Sequence, residues 1–339
     1  MKKLILSMMA LAMLAVSCQM DSTSFDYKGW DGVAVTLGVG IPDLSDTRSG
    51  ETGMNSGLGA IDNFSADEWG KYDLRYIVEI YEVIGGEVNT SGPVLKRRVK
   101  TLDEYSDHTF TIRLAPNRDY RAVVWADLVA ENSEADLNYN TSDLRAITRL
   151  KAAVAMDECQ DAYFIHKDIH VGNGKLSQDL ILKRPFGKIR VITTDYDQVN
   201  NNLKPAMAEV TFYNHRLYTT LNAVTGVASG ETVNEYTYTV AKSTPYTEGY
   251  DADDDKMTLF ADYILAGDET AGSQEVNFTL NVYADDEGQN QIKSLDFNTQ
   301  IPLSRNKLTT IMGNMLIEQN DFNISIDDNV DGETIIDID

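Results

Sequence analysis

Hydrophobic residues alternate with small or polar residues along many short segments of the chain. The first such segment has five bulky residues at every second position: Val33, Val35, Leu37, Val39 and Ile41. A period of two is typical of a strand with one buried face. The pattern recurs in the segments 74–80, 110–114, 120–126, 161–167, 178–183, 188–193, 208–213, 236–240, 257–265, 276–282, 307–317 and 322–326. Many short strands separated by turn residues predict an all-β protein built of antiparallel sandwiches.

Only the segment 141–158 has a helical pattern, and a strand from 144 to 150 fits it equally well. Polar stretches at 45–70, 130–142 and 243–256 predict long surface loops. Pro185 interrupts two strand patterns, which predicts a domain boundary there. We therefore expect an N-terminal domain at 31–185 and a C-terminal domain at 186–339.

The chain begins with the features of an export signal. Two lysines precede an apolar run, and the small residue Ser17 comes directly before Cys18. The run is shorter than the roughly 20 residues of a membrane-spanning helix. A cysteine at this place resembles the lipobox of bacterial lipoproteins, so we expect a signal peptide at 1–17, lipid on Cys18 and a polar tether at 18–30. The alternative is an ordinary secretory signal. Cys159 has no second cysteine left to pair with and is predicted to be a buried thiol.

The formal net charge of the chain is −24 at pH 7. Such a charge repels phosphate backbones, so nucleic acid is excluded as a partner. Solubility outside the cell is the simplest explanation of the acidic balance.

Catalytic and metal-binding patterns are missing or incomplete in the sequence. His166 and His170 lie in an alternating strand pattern without a third ligand nearby, and zinc needs three or four. The acidic stretch 251–256 lacks the glycine and glutamate of an EF-hand loop. The glycines at 38–40 lie inside a strand, and there is no G-x-S-x-G motif. We therefore expect that the chain is not an enzyme and that it binds neither a metal nor a cofactor.

Aromatic residues offer an alternative function. The chain has three tryptophans and 17 tyrosines, which can stack on sugars. Trp125 sits in an apolar strand and is predicted to be in the core, whereas Trp69 lies in a polar stretch and is the better surface candidate than Trp125. A monomeric glycan-binding lipoprotein on the cell surface is therefore the alternative to the assembly function below.

The order of elements near the N-terminus suggests a replaceable strand. The strand 33–41 is followed by a polar, glycine-containing stretch that includes Arg48, and such loops are preferred sites of proteolysis. A cut after Arg48 would release lipid and tether, and would allow the strand to leave as well. A strand of another subunit could then fill the vacated groove by β-strand addition. Ile336 and Ile338 alternate in the acidic C-terminal segment and are the candidates for such a donor.

Several stretches, in their order along the chain, resemble one known family. They are the lipobox, "DTR" after the first strand, "LRYIVEIYEV", "YRAVVWADLV", "YNTSDLRAI", "DAYF", "LILKRPFGKIRVITTD" and "IPLSRNKLTTIMGNML". Together these stretches resemble the fimbrillin-type lipoproteins of Bacteroidales, which are the subunits of type V pili and their relatives. The resemblance implies two transthyretin-like β-sandwich domains in tandem, transport to the outer membrane, cleavage by an arginine-specific protease and assembly by strand exchange.

By this resemblance Arg48 is the cleavage position and the strand 33–41 is the piece displaced. The expected function is that of a structural subunit, or of an anchor or tip component, of a surface fimbria that contributes to adhesion. The expected partners are other fimbrial subunits, the outer membrane through the lipid, and a receptor on a host or bacterial surface. The acidic C-terminal segment departs from a strongly apolar donor strand, which leaves the anchor and tip roles open.

Overall fold

The computed structural model describes residues 32–41, 70–103, 106–150, 158–213, 217–230, 235–241, 256–267, 274–317 and 321–327. Ten strands lie before Pro185: β1 (Val33–Gly40), β2 (Tyr72–Ile84), β3 (Glu87–Val88), β4 (Lys96–Leu102), β5 (His108–Leu114), β6 (Arg118–Ala130), β7 (Tyr139–Asn140), β8 (Ile147–Arg149), β9 (Ala162–Val171) and β10 (Leu176–Ile181). Ten follow it: β11 (Phe186–Thr193), β12 (Met207–Tyr213), β13 (Thr220–Asn222), β14 (Val227–Ser229), β15 (Glu235–Ala241), β16 (Met257–Leu265), β17 (Gln274–Tyr283), β18 (Gln291–Leu303), β19 (Leu308–Asn314) and β20 (Asp321–Asp327).

The all-β fold class is confirmed. The helices of the described residues are two single 3₁₀ turns, Glu158–Gln160 and Asn201–Leu203. Most strand pairs are antiparallel, but two pairs, β1 with β10 and β11 with β19, are parallel.

Eight of the ten strands before Pro185 form a sandwich of two sheets. Sheet A has the order β10, β1, β5, and sheet B has the order β2, β6, β9, with β3 and β4 on the other side of β2. The two-residue turn at Gly85 and Gly86 joins β2 to β3 with positive φ at both positions, which matches the twist of a tight hairpin. Inward-facing side chains of both sheets form one core that includes Leu37, Tyr76 and Phe110.

Eight of the ten described strands after Pro185 form a second sandwich. Sheet D has the order β16, β11, β19, β20, and sheet E has the order β15, β12, β17, β18. Its core contains a chain of phenylalanine rings, in which Phe278 lies 5.3 Å from Phe212 and 4.7 Å from Phe297 between ring centroids. The alternation of β17, with every second residue buried, follows from one face packing on this core.

A third core joins the two halves of the chain. The small sheet C has the order β14, β13, β8, β7, so it combines strands from both sides of Pro185. Beneath it, Trp125 and Tyr139 from the first half pack with Phe186, Leu221 and Tyr263 from the second. The described residues from Gly32 onward form one compact unit. The division into domains at 185/186 therefore stays a prediction, and the shared core couples the two parts.

Some local expectations differ from the structure. The helical interpretation of 141–158 is wrong for residues 141–150, where a turn leads into β8. The expected surface loop 130–142 buries Asn138, Tyr139 and Thr141, because it covers the outer face of sheet B. Cys159 is buried and forms no disulfide among the described residues, as predicted.

Candidate functional site: the groove of the first strand

The first strand, β1, is the central strand of sheet A. It pairs with β5 antiparallel and with β10 parallel, so both of its backbone edges are hydrogen-bonded within the sheet. Leu37 faces Phe110 on one side and Gln178 on the other. The partner β10 lies some 140 residues later in the sequence, so the central position depends on a long-range contact.

The bulky face of β1 is turned into the core, as the alternation predicts. Val35, Leu37 and Val39 are at most 1% exposed, and Val33 and Ile41 pack at the two ends with partial exposure. Fully burying three such side chains contributes about 5–9 kcal/mol before ordering costs are deducted. The removal of β1 would separate β5 from β10 by two ladder spacings, about 10 Å, which is too far for them to pair directly.

The outward face of β1 is formed by small residues. At Gly38 an added Cβ would lie 2.6 Å from Oδ1 of Asp179, and at Gly40 it would lie 2.5 Å from Oδ1 of Asp107. The glycines therefore leave room for two carboxylates to lie close over the strand. Gly40 also accepts a hydrogen bond from the amide of Leu182 through its carbonyl oxygen, at 2.9 Å, which extends the ladder past the end of β10.

The second half contains a strand in the same kind of place. In sheet D, β11 lies between the antiparallel β16 and the parallel β19. The chain enters β11 from Pro185 and continues into β12, so β11 is held by the chain at both ends. β1 differs because it is the first of the described strands, so only the chain that follows it leads to another described strand.

The structure does not describe several other residues that the sequence predicts to be functional. Cys18, Arg48, Ile336 and Ile338 lie outside the described residues, as do Trp30, Trp69 and residues 251–255 of the acidic stretch. Trp125 is 1% exposed and packs edge-on against Tyr139 at 5.3 Å between ring centroids, so the prediction that it belongs to the core is confirmed.

The two histidines of the "HKDIH" stretch lie on β9, as the alternation predicts. His170 is exposed, and its Nδ1 lies 2.7 Å from Oδ1 of Asp119. His166 is partly buried, and its Nδ1 has no hydrogen-bond partner within the described part of the chain. Among these same residues, no group of three or more His, Cys, Asp or Glu side chains is arranged to hold a metal ion.

Sequence reasoning missed a layer of ion pairs on the outer face of sheet B. Arg75 pairs with Asp127 inside the protein, and Glu79 accepts from Arg97 and from the hydroxyl of Tyr81. The sequence of β2 indicates these ion pairs, because its charged residues occupy positions between the apolar ones. Burial and the neighbouring Glu79 raise the pKa of Tyr81 above its ordinary value, so this hydroxyl stays a donor.

A cavity of about 270 Å³ lies beside this layer. It is lined by residues that include Arg75, Ile77, Arg97, Val99 and Asp136. Both arginines already pair with carboxylates, since Arg75 contacts Asp127 and Asp136, and Arg97 contacts Glu79. The cavity therefore offers a neutralised polar wall and a small apolar wall, and it is not a ready anion site.

Among the described residues, no helix has the length and hydrophobicity required to cross a membrane. The sequence pattern of a family of unknown function, DUF6562, matches residues 28–339. A comparison with curated protein sequences found no match.

Three solved structures with a similar course of the chain come from Bacteroides and Porphyromonas. A proposed polysaccharide-binding protein (DUF1812) of Bacteroides thetaiotaomicron is 9% identical, with a TM-score of 0.45 over 87% of this chain and 96% of that one. The fimbrial anchor protein Mfa2 of Porphyromonas gingivalis is 11% identical, with a TM-score of 0.42 over 86% and 97%. A proposed cell adhesion protein of Bacteroides ovatus is 14% identical, with a TM-score of 0.41 over 86% and 95%. Likenesses at this level carry no functional argument.

Proposed function

We propose that this chain, which belongs to the DUF6562 family of unknown function, is a structural component of a surface fimbria that accepts a strand from a neighbouring subunit in place of β1. The observation that carries the proposal is the combination of a central position in sheet A with the first position among the described strands. The resemblance of the sequence to fimbrillin-type lipoproteins supports the same function.

Connectivity makes β1 a central strand that a single cut can free. Arg48 lies between β1 and β2, so cleavage after it would leave β2 to β20 on one unbroken chain. The equivalent strand β11 could not leave without breaking the chain twice. Cleavage would also separate the fold from Cys18 and its lipid. The uncleaved protein would then be a membrane-anchored component, and the cleaved protein an acceptor.

The vacated groove would select a donor strand by the spacing of its apolar residues. A donor strand needs bulky apolar residues at three alternate positions to replace Val35, Leu37 and Val39. The chain's own candidate donor has only Ile336 and Ile338 in phase, with Asp337 between them. We therefore infer that the cleaved chain accepts a donor better than it provides one, which favours a position at an end of the fimbria over the shaft.

Strand replacement can be tested with the exported chain in detergent. An arginine-specific protease is added, and the fragments are identified by mass. A labelled peptide of residues 31–42 is then offered in excess, and its uptake is followed by size-exclusion chromatography. We expect cleavage after Arg48, release of β1 and uptake of the peptide. A peptide with Leu37→Asp should not bind, since it places a charge in the core.

The variant Arg48→Gln is the matched control, because it should block both cleavage and peptide uptake while leaving the fold intact. If the cleaved protein keeps β1 bound and takes up no peptide over days, the proposal fails. A protein that loses β1 and closes as a folded monomer without a groove would contradict it as well.

Glycan binding stays the alternative function, without support from the described residues. Trp125 is enclosed in the core that joins the two halves, so it cannot stack on a sugar. Retention of the uncleaved monomer on a polysaccharide column would favour this alternative. The proposed function also includes a contribution to adhesion, a location on the outer membrane and binding to a receptor on a host or bacterial surface.

A further inference from the structure

We propose that the open edge of β4 is a docking site for the acidic segment 328–339 of a second copy of this chain. β4 pairs with β2 along one side, and no described strand pairs with its other side. An unpaired strand edge presents free backbone donors and acceptors to an incoming extended segment. This contact needs neither cleavage at Arg48 nor loss of β1, so it is independent of the function proposed above.

One face of β4 presents three cations at alternate positions: Lys96, Arg98 and Lys100. Lys96 is partly exposed and the other two are exposed, and within the described residues none of the three forms an ion pair. The guanidinium of Arg98 donates to the backbone oxygen of Arg97 at 2.9 Å. The chain as a whole carries a net charge of −24, so a row of three cations that form no ion pair among the described residues stands out.

The charge of Lys100 also acts on His108 in β5, the next strand along the chain. Partial burial lowers the pKa of His108, and the ammonium group of Lys100 lowers it further. The positive charge of Lys100 therefore acts as far as the edge strand of sheet A.

The other face of β4 is different. Arg97 is neutralised by Glu79, and Val99 lies beside Ile77 in the wall of the 270 Å³ cavity. This face can receive a medium-sized apolar side chain next to the strand. Cations on one face, and on the other a recess with one apolar wall formed by Ile77 and Val99, make a two-sided pattern with a period of two.

The segment 328–339 has the complementary pattern. It contains five acidic residues and no lysine or arginine. In its last part Ile336 and Ile338 alternate with Asp337 and Asp339. As a strand beside β4, it would place both aspartates on the face of the cations and both isoleucines on the face of the recess. Because the period is two in both strands, the match holds for parallel and antiparallel addition.

The segment is long enough to extend beyond its own fold. β20 ends at Asp327, and 12 further residues can span up to about 40 Å when extended. Much of the surface of this acidic protein repels such a segment, whereas β4 attracts it. Charge complementarity of this kind steers association and fixes register.

Binding is measured with a fluorescent peptide of residues 328–339 and the full exported chain, by anisotropy at low and at high salt. We expect saturable binding that weakens with salt. The triple variant Lys96→Glu, Arg98→Glu, Lys100→Glu should weaken binding by about tenfold or more. The matched control reverses three exposed lysines elsewhere, Lys71→Glu, Lys167→Glu and Lys175→Glu, and should bind like the native chain.

A charge exchange gives the sharpest readout. A peptide with Asp337→Lys and Asp339→Lys should bind the triple variant better than it binds the native chain. A peptide with Ile336→Ser and Ile338→Ser tests the recess, and it should bind the native chain more weakly. Absence of peptide binding to the native chain, or equal losses in the triple variant and its control, would overturn the proposal.

Measurement of self-association tests whether the segment that binds β4 comes from a second copy of the chain. The native chain should form concentration-dependent dimers or larger species at low salt, and these should disappear in the triple variant. A chain that stays monomeric at all concentrations would place the segment elsewhere or on its own β4, and would overturn docking between copies.

Discussion

Arg75 and Asp127 lie directly opposite each other on β2 and β6 and form a two-point ion pair inside the protein. Nε of Arg75 is 2.9 Å from Oδ1 of Asp127, and Nη2 is 2.7 Å from Oδ2. The side chains are 3% and 1% exposed. Asp136 also accepts from Nη1 at 2.9 Å and binds the amide and hydroxyl of Thr141. The pair thereby holds the segment after β6 against the outer face of sheet B.

Removal of one partner of this pair should destabilise the protein strongly. Asp127→Ala leaves the Arg75 guanidinium buried without its main partner, and we expect a loss of about 3–5 kcal/mol in the free energy of unfolding, measured by urea denaturation. Asp136→Ala should cost less, since Asp136 is 27% exposed. The double variant Arg75→Met, Asp127→Leu should be more stable than Asp127→Ala alone. A loss below about 1 kcal/mol for Asp127→Ala would show that the pair contributes little to stability.

The two faces of β1 should respond differently to truncation. Leu37→Ala removes a fully buried side chain and should lower the free energy of unfolding by about 2–5 kcal/mol. Thr36→Ala on the outward face is the control and should change it by less than about 0.5 kcal/mol. After cleavage at Arg48, Leu37→Ala should also release β1 faster than the native sequence does. Equal effects of both substitutions would mean that the burial of this face does not hold the strand.

The sequence predicts β1 well because its signal is local. Val35, Leu37 and Val39 are separated by small residues, so the alternation alone identifies the strand and its buried face. Its central place in sheet A is not a local property, since it depends on the parallel pairing with β10. Local alternation predicts which face is buried, but not which strands are neighbours.

Strands without apolar alternation were not predicted. β4 reads "KRRVKTL" and is a strand because β2 offers it a long edge, with Ile77 opposite Val99. The short strands β8 and β13 pair across the two halves of the chain. β8 lies within the strand alternative 144–150, whereas β13 cannot be inferred from its own three residues. Nine consecutive residues of β2 are buried although its charged positions suggest a solvent-facing side. The reason is again non-local, because the segment 130–142 covers that face.

The core that joins the two halves predicts that they unfold together. Phe186 contacts Tyr139 from the first half at 5.8 Å and Tyr263 from the second at 6.4 Å between ring centroids. We expect a single calorimetric transition for the native chain. Phe186→Ala should destabilise it by about 3–5 kcal/mol and separate the transition into two.

Phe278→Ala, within the core of the second sandwich alone, is the control for this coupling. It should lower the stability by a similar amount, but it leaves the shared core intact and should not separate the transitions. Two resolved transitions in the native chain would contradict the coupling of the halves.

His166 makes the junction between the halves sensitive to acid. The turn after β13 covers it, since a Cβ added to Gly226 would lie 2.9 Å from its Cε1. Burial lowers the pKa of His166, and the positive charges of Arg121 and Arg305 act in the same direction. The carbonyl of Ala223 and the carboxylate of Asp168 oppose this shift without cancelling it. Protonation is therefore disfavoured in the folded state.

The sign of the pH dependence follows from this shift. The unfolded chain takes up a proton at the ordinary pKa of about 6.5, whereas folded His166 takes it up only at lower pH. Its contribution to stability is complete above about pH 6.5 and falls as the pH drops towards the folded pKa. Each such group can lower the free energy of unfolding by up to about 1.4 kcal/mol per pH unit in this interval.

Urea denaturation at about pH 7.5 and 5.5 checks this prediction, since histidine is the side chain that ordinarily titrates in this range. The native chain should be less stable at the lower pH, and His166→Gln should lose much of that difference. His108→Gln is the matched control, because the pKa of His108 is also lowered although that side chain lies away from the junction, on β5. If His166→Gln keeps the full pH dependence and His108→Gln removes it, the acid sensitivity belongs to the β4 and β5 side of the first sandwich instead.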